Sequence, residues 1–536
     1  MIYINRFFLS ISNQLKNIYL NSNIYDKKIS QVIDKNLIYK PSPHLLSSLI
    51  KYNKKKYKID DFSLNKIWTN ENLGTKELKK LNSFYWFFSL DLKSSKKKTQ
   101  LIVENWIKNN SKYNNKIWDF NCTAKRIIAW LSCHNLTYED SNQNYRNNFN
   151  KIIQKQTNHL INETNKSNLT NDKLIGCAAI ILVGLCYQNK KNYLEFGSSV
   201  LKKISKLTLD NYGLPKSRSI KQLVFYLKYF ILIREWFKES QTSIPEHIDE
   251  TIYYLGQAYA FFWQNTNSDP LFNGNNISNN KDFDNYLKRL GYTFKNENQD
   301  MGGYKILRNK KICLMIDVGS TPDIKFTEDY QAGPLSFEIT SNGKKLITNC
   351  GYYKKKEKLN QLSRSSAAQN TLIIDDNSSC KFTKINNSWF IKKGLKIIQK
   401  ETVFEKNFWK ISASHDGYMK KYKSIHERAI EFYPDQMTFK GIDKIIKKNS
   451  NRNYKFDIRF HLEPNVKLMK TQDNQSILIE LEDEGWKFTC DKYDINIDNG
   501  LYFGNKNLYT ENQNIFITGI SNKQIENIKW EIRKIQ

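Results

Sequence analysis

The chain has 536 residues and carries 84 Lys and Arg against 53 Asp and Glu, a formal charge of +31. At roughly 150 residues per domain, this length suggests two to four domains, each able to bury a core. The 40% hydrophobic and 13% aromatic content excludes wholesale disorder, and only 21 Gly and 9 Pro exclude collagen-like or low-complexity architecture.

The cations are 72 Lys and 12 Arg. Nucleic-acid sites favour Arg for bidentate recognition of phosphates and bases, so this balance argues against nucleic acid as the partner. Another acidic polymer would still be steered toward so basic a protein, and the plain alternative is a surface of solvated Lys. The eight cysteines form no C-x-x-C pair, which leaves zinc ribbons and thioredoxin-like redox sites unsupported. Cys177 and Cys186 sit in apolar runs and read as core.

In chain order, Ile4, Phe7, Phe8, Ile11, Leu15 and Ile18 have the spacing of an amphipathic helix rather than a cleavable secretory signal. Residues 1–60 read as a lysine-rich leader, most solvated at Lys51–Lys58. From 61 to 295 the periodicity is helical and arranged as hairpins. Asn82–Leu90, Lys97–Asn109, Thr123–Leu136 and Asn144–Glu163 are followed by Leu174–Tyr187, Tyr193–Leu209, Ile220–Lys238 and Pro245–Trp263. Consecutive antiparallel helices predict a bundle or an α/α toroid. The longest apolar runs, 174–187 and 223–237, are too short to span a bilayer, which takes roughly 20 residues. Trp86, Trp106, Trp118 and Trp130 fall on apolar faces and read as core rather than sugar platforms.

Beyond residue 296 the texture is β-rich. ICLMIDV (312–318), LSFEIT (335–340), TLIID (371–375), KISASH (410–415), RFHLEP (459–464), SILIEL (476–481) and NIFITGI (514–520) predict strands. The expected fold class is therefore α+β multidomain, an N-terminal α/α toroid-like helical domain followed by a large antiparallel β-sandwich over 296–536. A ligand is expected between the two domains. Glu338 alternates with apolar neighbours, which predicts a solvent-facing side chain, and His415 and His461 read as structural.

No P-loop, Rossmann glycine pattern or nucleophile elbow is present, and His426-Glu427 is followed by Ile430 where a zinc-protease helix needs a second His. The informative stretch runs from Asp300 to Ser379. DMGGYKILRN, DYQAGPLSFEITSNGKKLITNCGYY and RSSAAQNTLIIDDNSS, with ASHDGY (413–418) and RFHLEP further on, resemble the C-terminal domain of the heparinase II/III-like family. NCTAKRIIAWL (121–131), LIGCAAIILVGLCY (174–187), LPKSRS (214–219) and DPLFNGN around 273–275 resemble segments of its helical domain.

The resemblance implies a polysaccharide lyase that cleaves an acidic, uronate-containing glycan by β-elimination. A base removes the proton beside the carboxylate, an acid protonates the leaving oxygen, and a polar group neutralises the carboxylate. Acidic polysaccharide is the implied partner and no cofactor is implied. Against the family pattern, Gln331 and Gln369 stand where His is usual, Gly333 holds the first metal position, and Asn349 replaces an Asp. Neither Gln nor Gly is a good zinc ligand, so no metal is expected. Where lyases of this type carry Asn-His, the chain reads Asn171-Asp172. Carried over, Asn171, Tyr226 (with Tyr229 beside it) and Gln331 are the catalytic candidates. Arg126, Arg218, Arg364, Gln369 and Asn370 are the substrate-contact candidates. An Arg in such segments reads equally as a helix-end partner of backbone carbonyls, and the tyrosines lie in an apolar helix that favours core. Two further readings follow. One is a non-catalytic glycan-binding or envelope-biogenesis relative. Another is hydrolysis by paired carboxylates such as Asp172 and Glu338. The family resemblance points to the cell envelope, while the absence of a cleavable signal leaves a cytoplasmic location as the alternative.

Overall fold

The computed structural model of the chain describes residues 14–31, 36–47, 49, 74–90, 96–164, 170–188, 191–264, 266, 268–278, 281–385 and 388–535. Ile4, Phe7, Phe8 and Ile11 of the expected leader helix, and Lys51–Lys58, lie outside these residues. The chain divides into two compact units, one comprising 1–207, 226–252 and 281–292, the other 208–225, 253–280 and 293–536. Two stretches preceding residue 293 thus belong with the strand-rich unit.

The first unit is helical. Lys96–Asn110, Phe120–Ser132, Gln143–Thr164 and Thr170–Cys186 are its principal early helices. Asp119 caps Phe120–Ser132 by accepting the Cys122 amide at 3.2 Å, which satisfies a donor the first turn would leave orphaned. Thr170–Cys186 is buried from Leu174 to its end, so it is apolar all round rather than striped. A Cβ at Gly176 would sit 2.5 Å from the Phe120 ring, so glycine lets these two helices approach closely. The expected helix over Asn82–Leu90 is instead the end of Thr75–Asn82 followed by a 3-10 turn, Tyr85–Ser89. Phe84, at φ 56°, occupies the left-handed region and ends the first helix. Trp106, Trp118 and Trp130 are fully buried and Trp86 nearly so. Among the described residues no helix is long and apolar enough to cross a membrane.

The second unit is built from antiparallel sheets. An eight-stranded sheet runs in the order Lys467–Lys470, Ser476–Leu481, Glu484–Cys490, Ile525–Lys534, Thr438–Lys447, Ser424–Tyr433, Trp409–His415, Ile397–Phe404. A four-stranded sheet is ordered Ile495–Tyr502, Thr510–Ser521, Tyr454–His461, Leu372–Ile374. A five-stranded sheet follows the chain from Asp300–Met301 through Tyr304–Arg308, Ile312–Asp317 and Phe337–Ser341 to Lys344–Ile347. Their inner faces share one core in which Phe337 stacks on Trp530 at 5.5 Å.

Glu338 corrects the alternation argument. Every residue of Phe337–Ser341 is buried, because the face opposite Phe337 is covered by the segment preceding it in the sheet's own unit. Glu338 there accepts from the Leu271 amide at 3.2 Å and pairs with Lys345 at 3.0 Å. A strand covered on both faces has no solvent side for a charge to occupy, so the charge is kept by a partner.

Candidate functional site

Asn171 and Asp172 open the helix Thr170–Cys186, with Asn171 exposed and Asp172 half-buried. The Asn121 amide donates to Asp172 at 2.6 Å. One turn beyond Asn121, Lys125 places its ammonium 5.7 Å from the centre of the Tyr85 ring. The Tyr85 hydroxyl lies 3.3 Å from that of Tyr229. Burial lowers the Lys125 pKa, with Asp172 opposing that shift. Burial also pushes the Tyr229 phenol up to about 12, opposed by its bond to Tyr85 and reinforced by Asp172. Burial raises the Asp172 pKa, against the Asn121 hydrogen bond. This helical unit therefore assembles an amide, an ammonium, a carboxylate and two phenols held protonated at neutral pH.

Of the two tyrosines weighed from sequence, Tyr229 is the one beside Asp172; Tyr226 is fully buried three residues earlier in Ile220–Glu239. Lys125 and Asn121 were not singled out from sequence, although their four-residue spacing in NCTAKR places both on one helix face. Arg126, next in the chain, is fully buried and committed elsewhere. Its guanidinium donates to Gln156 at 3.0 Å, to the carbonyls of Asn82 at 2.8 Å and Ile117 at 3.2 Å, and stacks over Trp106. Burial lowers its pKa to about 10.

In the strand-rich unit, the other sequence candidates converge on one buried polar network. Gln331 accepts from the Gly274 amide at 3.0 Å and donates to the carbonyls of Gly351 at 2.9 Å and Ser363 at 2.6 Å. Its backbone amide donates to Asn273, whose side-chain amide donates to Asp317 at 3.2 Å. Gln369 donates to the same Ser363 carbonyl at 3.3 Å. Asn370 receives the His461 amide at 2.6 Å and gives its own side-chain amide to Phe337. Asn349 accepts the Asn370 amide at 2.9 Å.

Arg218 and Arg364 frame this network from inside. Arg218, at φ 61°, pairs with Asp317 at 2.6 Å and donates to the carbonyls of Gly302, Gly303 and Gly319. A Cβ on Gly319 would lie 2.2 Å from the guanidinium carbon, so that position tolerates no side chain. Arg364 donates to Asn360, to the carbonyls of Tyr330 and Glu328, and to the Tyr352 hydroxyl. Near it the more exposed Lys354 bonds Glu328 at 3.0 Å and Asp329 at 3.3 Å. Burial pushes the Asp329 carboxyl up, but Lys354, Lys221 and Arg364 together hold it below the usual range.

A chain of titratable groups that sequence reading did not assemble lies deeper. His415 is 3.2 Å from His426, His426 is 2.6 Å from Asp443, and Arg428 clasps Asp443 through two bonds. Asp443 sits in a lysine-rich strand, Thr438–Lys447, with no motif around it to flag its role.

The residues at the positions where the resemblance leads one to look for a metal do not fit zinc. Gln331, Asn349 and Gln369 offer only neutral amide groups, with Gln331 and Gln369 donating to backbone carbonyls and the Asn349 oxygen accepting the Asn370 amide, and a Cβ at Gly333 would lie 2.9 Å from Ser336 Oγ. Among the described residues no group of three His, Cys, Asp or Glu is placed to hold a metal.

Comparison with known proteins bears on this geometry. Residues 296–531 match the family described as heparinase II/III-like, C-terminal. FtsZ-localized protein C of Caulobacter vibrioides (strain NA1000 / CB15N) is 22% identical over 247 residues, 44% of this chain and 42% of that protein. The match thus spans about two fifths of the curated relative's length. A heparinase III structure superposes with TM-score 0.71 at 14% identity, covering 91% of this chain and 85% of that one. A second heparinase III gives 0.67 at 14%, covering 94% and 87%. A heparan sulfate lyase from Pedobacter heparinus gives 0.64 at 13%, covering 94% and 84%. The shared fold is an α/α toroid followed by a β-sandwich.

Proposed function

Residues 296–531 belong to the heparinase II/III-like family, and from that premise we propose that the chain is a non-cleaving relative of the polysaccharide lyases that binds an anionic glycan. The observation that carries this reading is the state of Gln331 and Gln369. β-Elimination needs groups that exchange protons near neutral pH at the reacting carbon and the leaving oxygen. Gln331 cannot exchange a proton, and its amide is bonded to Gly274, Gly351 and Ser363 of the protein itself.

The helical cluster supports the same conclusion. A uronate carboxylate must be neutralised before its neighbouring proton becomes labile, and Asp172 offers a carboxylate at the place where the lyases use His. The phenol of Tyr229, its pKa pushed up to about 12, is a poor base at neutral pH.

Anionic glycan is the ligand class because the net charge of +31 attracts polyanions and Lys221 and Lys354 supply ammonium groups around Asp329. The fold is that of a heparan sulfate lyase, whose substrate is the polymer in its name. The envelope is the setting this reading favours, on the family resemblance alone.

The test is ultraviolet absorbance of the unsaturated uronate end during incubation with a panel of acidic polysaccharides, paired with retention on the same polymers immobilised. Flat absorbance with retention that weakens as salt rises is the expected result. Rising absorbance would establish a lyase and return attention to Asn171 and Tyr229. Flat absorbance without retention on any polymer would remove glycan binding from the reading.

A further inference from the structure

A cavity of about 500 Å³ opens in the helical unit among Asn23–Ile29, Lys96–Asn110 and Gln143–Thr164. Its volume lies within the range of small-ligand pockets. Lys155 forms part of the wall; it is buried, donates to the Ser111 carbonyl at 2.7 Å and pairs with Asp26 at 2.6 Å. That pair is internally neutral. Three further lysines line the same cavity, Lys108, Lys112 and Lys151, and Glu104 is the remaining acidic residue.

The charge balance is the informative feature. Lys108, Lys112 and Lys151 make no ion pair or hydrogen bond among the described residues, and neither does Glu104. Among the described residues, three cations without an ion pair face one such anion, an excess of two positive charges around one concavity. Lys108 and Lys151 come from two helices and Lys112 from the segment just after the first, so like charges that repel one another are gathered at one cavity. Beside them Ser111 and Asn148 contribute a hydroxyl and an amide able to meet the hydroxyls of a ligand, and the Ser30 hydroxyl, which donates to the Asp26 carbonyl at 2.6 Å, can still accept.

We infer that this cavity is a second ligand site, distinct in its residues from the Asp172 and Gln331 clusters, for a small polyol carrying a phosphomonoester. A phosphomonoester is close to a dianion at neutral pH and presents three acceptor oxygens, matching the charge excess and the three lysines that have no ion pair among the described residues. The volume suits one sugar unit rather than a polymer. The inference stands apart from the proposed glycan binding, since it concerns another part of the chain and another size of ligand.

The experiment is isothermal titration of the full chain with glucose 6-phosphate, inorganic phosphate and glucose, on the native protein and on the double variant Lys108→Glu, Lys151→Glu. Both positions are exposed, so folding is expected to survive, and the melting temperature checks it. A charge-matched control, Lys523→Glu with Lys529→Glu, lies in the other unit. Saturable binding of glucose 6-phosphate, weakened at least tenfold by the cavity variant and by less than twofold in the control, is the expected result. Inorganic phosphate binding as tightly as the sugar phosphate would overturn the polyol part. No binding, or equal loss in both variants, would overturn the site. Acidic-polymer retention, measured on the same variants, separates this result from the fate of the proposed function, because the cavity variant should match its charge control there.

Discussion

Gln331 and Gln369 donate to one carbonyl oxygen, that of Ser363, at 2.6 and 3.3 Å. Two side chains at positions where the family resemblance leads one to expect His are thereby tied to a single backbone atom. A carbonyl has two lone pairs, so both bonds can be made at once, and each holds the other's amide in place. The arrangement fastens both side chains to the end of the helix Glu357–Arg364.

Replacing Gln331 with His should therefore cost stability without creating turnover. The imidazole can serve at most two of the three partners now bonded by the Gln331 amide, leaving at least one buried group unsatisfied at about 1–3 kcal/mol. Urea denaturation should show the loss, and the absorbance assay should stay flat. A stable Gln331→His protein that cleaves glycan would show that one substitution separates this chain from catalysis.

Glu338 and Lys345 form a buried ion pair at 3.0 Å, with Thr348 and the Asn349 amide also bonded to the carboxylate. Breaking such a pair from one side leaves an uncompensated charge, at about 3–5 kcal/mol. Lys345→Met should be strongly destabilising, and Glu338→Gln with Lys345→Met together should cost clearly less than the two single changes summed. A double-mutant cycle by chemical denaturation reads this directly. Additive costs would mean that the charges do not depend on one another.

The same residue shows where sequence reading stops. Strands such as Ser476–Leu481 and Ile312–Asp317 were legible because apolar and β-branched residues crowd them. Ser424–Tyr433 and Thr438–Lys447, both longer, are not legible in this way, since their alternation is filled out with Lys, Glu and His. Alternation at Glu338 was read correctly as a change of face, but sequence does not state that both faces are covered. At the site, the inability of Gln331 and Gln369 to exchange a proton near neutral pH is legible from residue identity alone. The convergence of Arg218, Asp317, Asn273 and Gln331 was not, because those contacts join residues as far apart as 99 positions. Nor was Tyr229 separable from Tyr226 before a helix had been placed against Tyr85.

Arg218 supplies a test of geometry against charge. Its guanidinium reaches three glycine carbonyls and Asp317 from one planar fork. Arg218→Lys keeps the charge and loses the fork, so it should destabilise by about 2–4 kcal/mol, the cost of buried acceptors left without donors. A melting curve of the variant checks this. A melting temperature unchanged from the native protein would mean that charge alone holds the loops around Gly302 and Gly319.

His461 predicts a pH dependence whose sign follows from burial. One ring nitrogen, Nε2, lies 2.9 Å from the Ala367 carbonyl and therefore carries the hydrogen, while Nδ1 is buried without a partner among the described residues. Burial, with Arg459 adding to it and the Ala367 bond opposing, lowers the pKa to about 3. The unfolded chain takes up this proton near pH 6.5 and the folded chain does not until about pH 3. The associated stability is thus fully present above pH 6.5 and is lost progressively as pH falls through that window, by at most about 1.4 kcal/mol per pH unit for one such group. His461→Gln retains a donor for Ala367 and removes the titration. Urea midpoints measured at several values between about pH 6.5 and pH 4 should fall more steeply for the native protein than for the variant. Other buried histidines, His159 among them with a pKa lowered to about 4 by burial, titrate in both proteins and cancel in the difference. Parallel curves would mean that His461 gains its proton as readily folded as unfolded, against the burial of its ring.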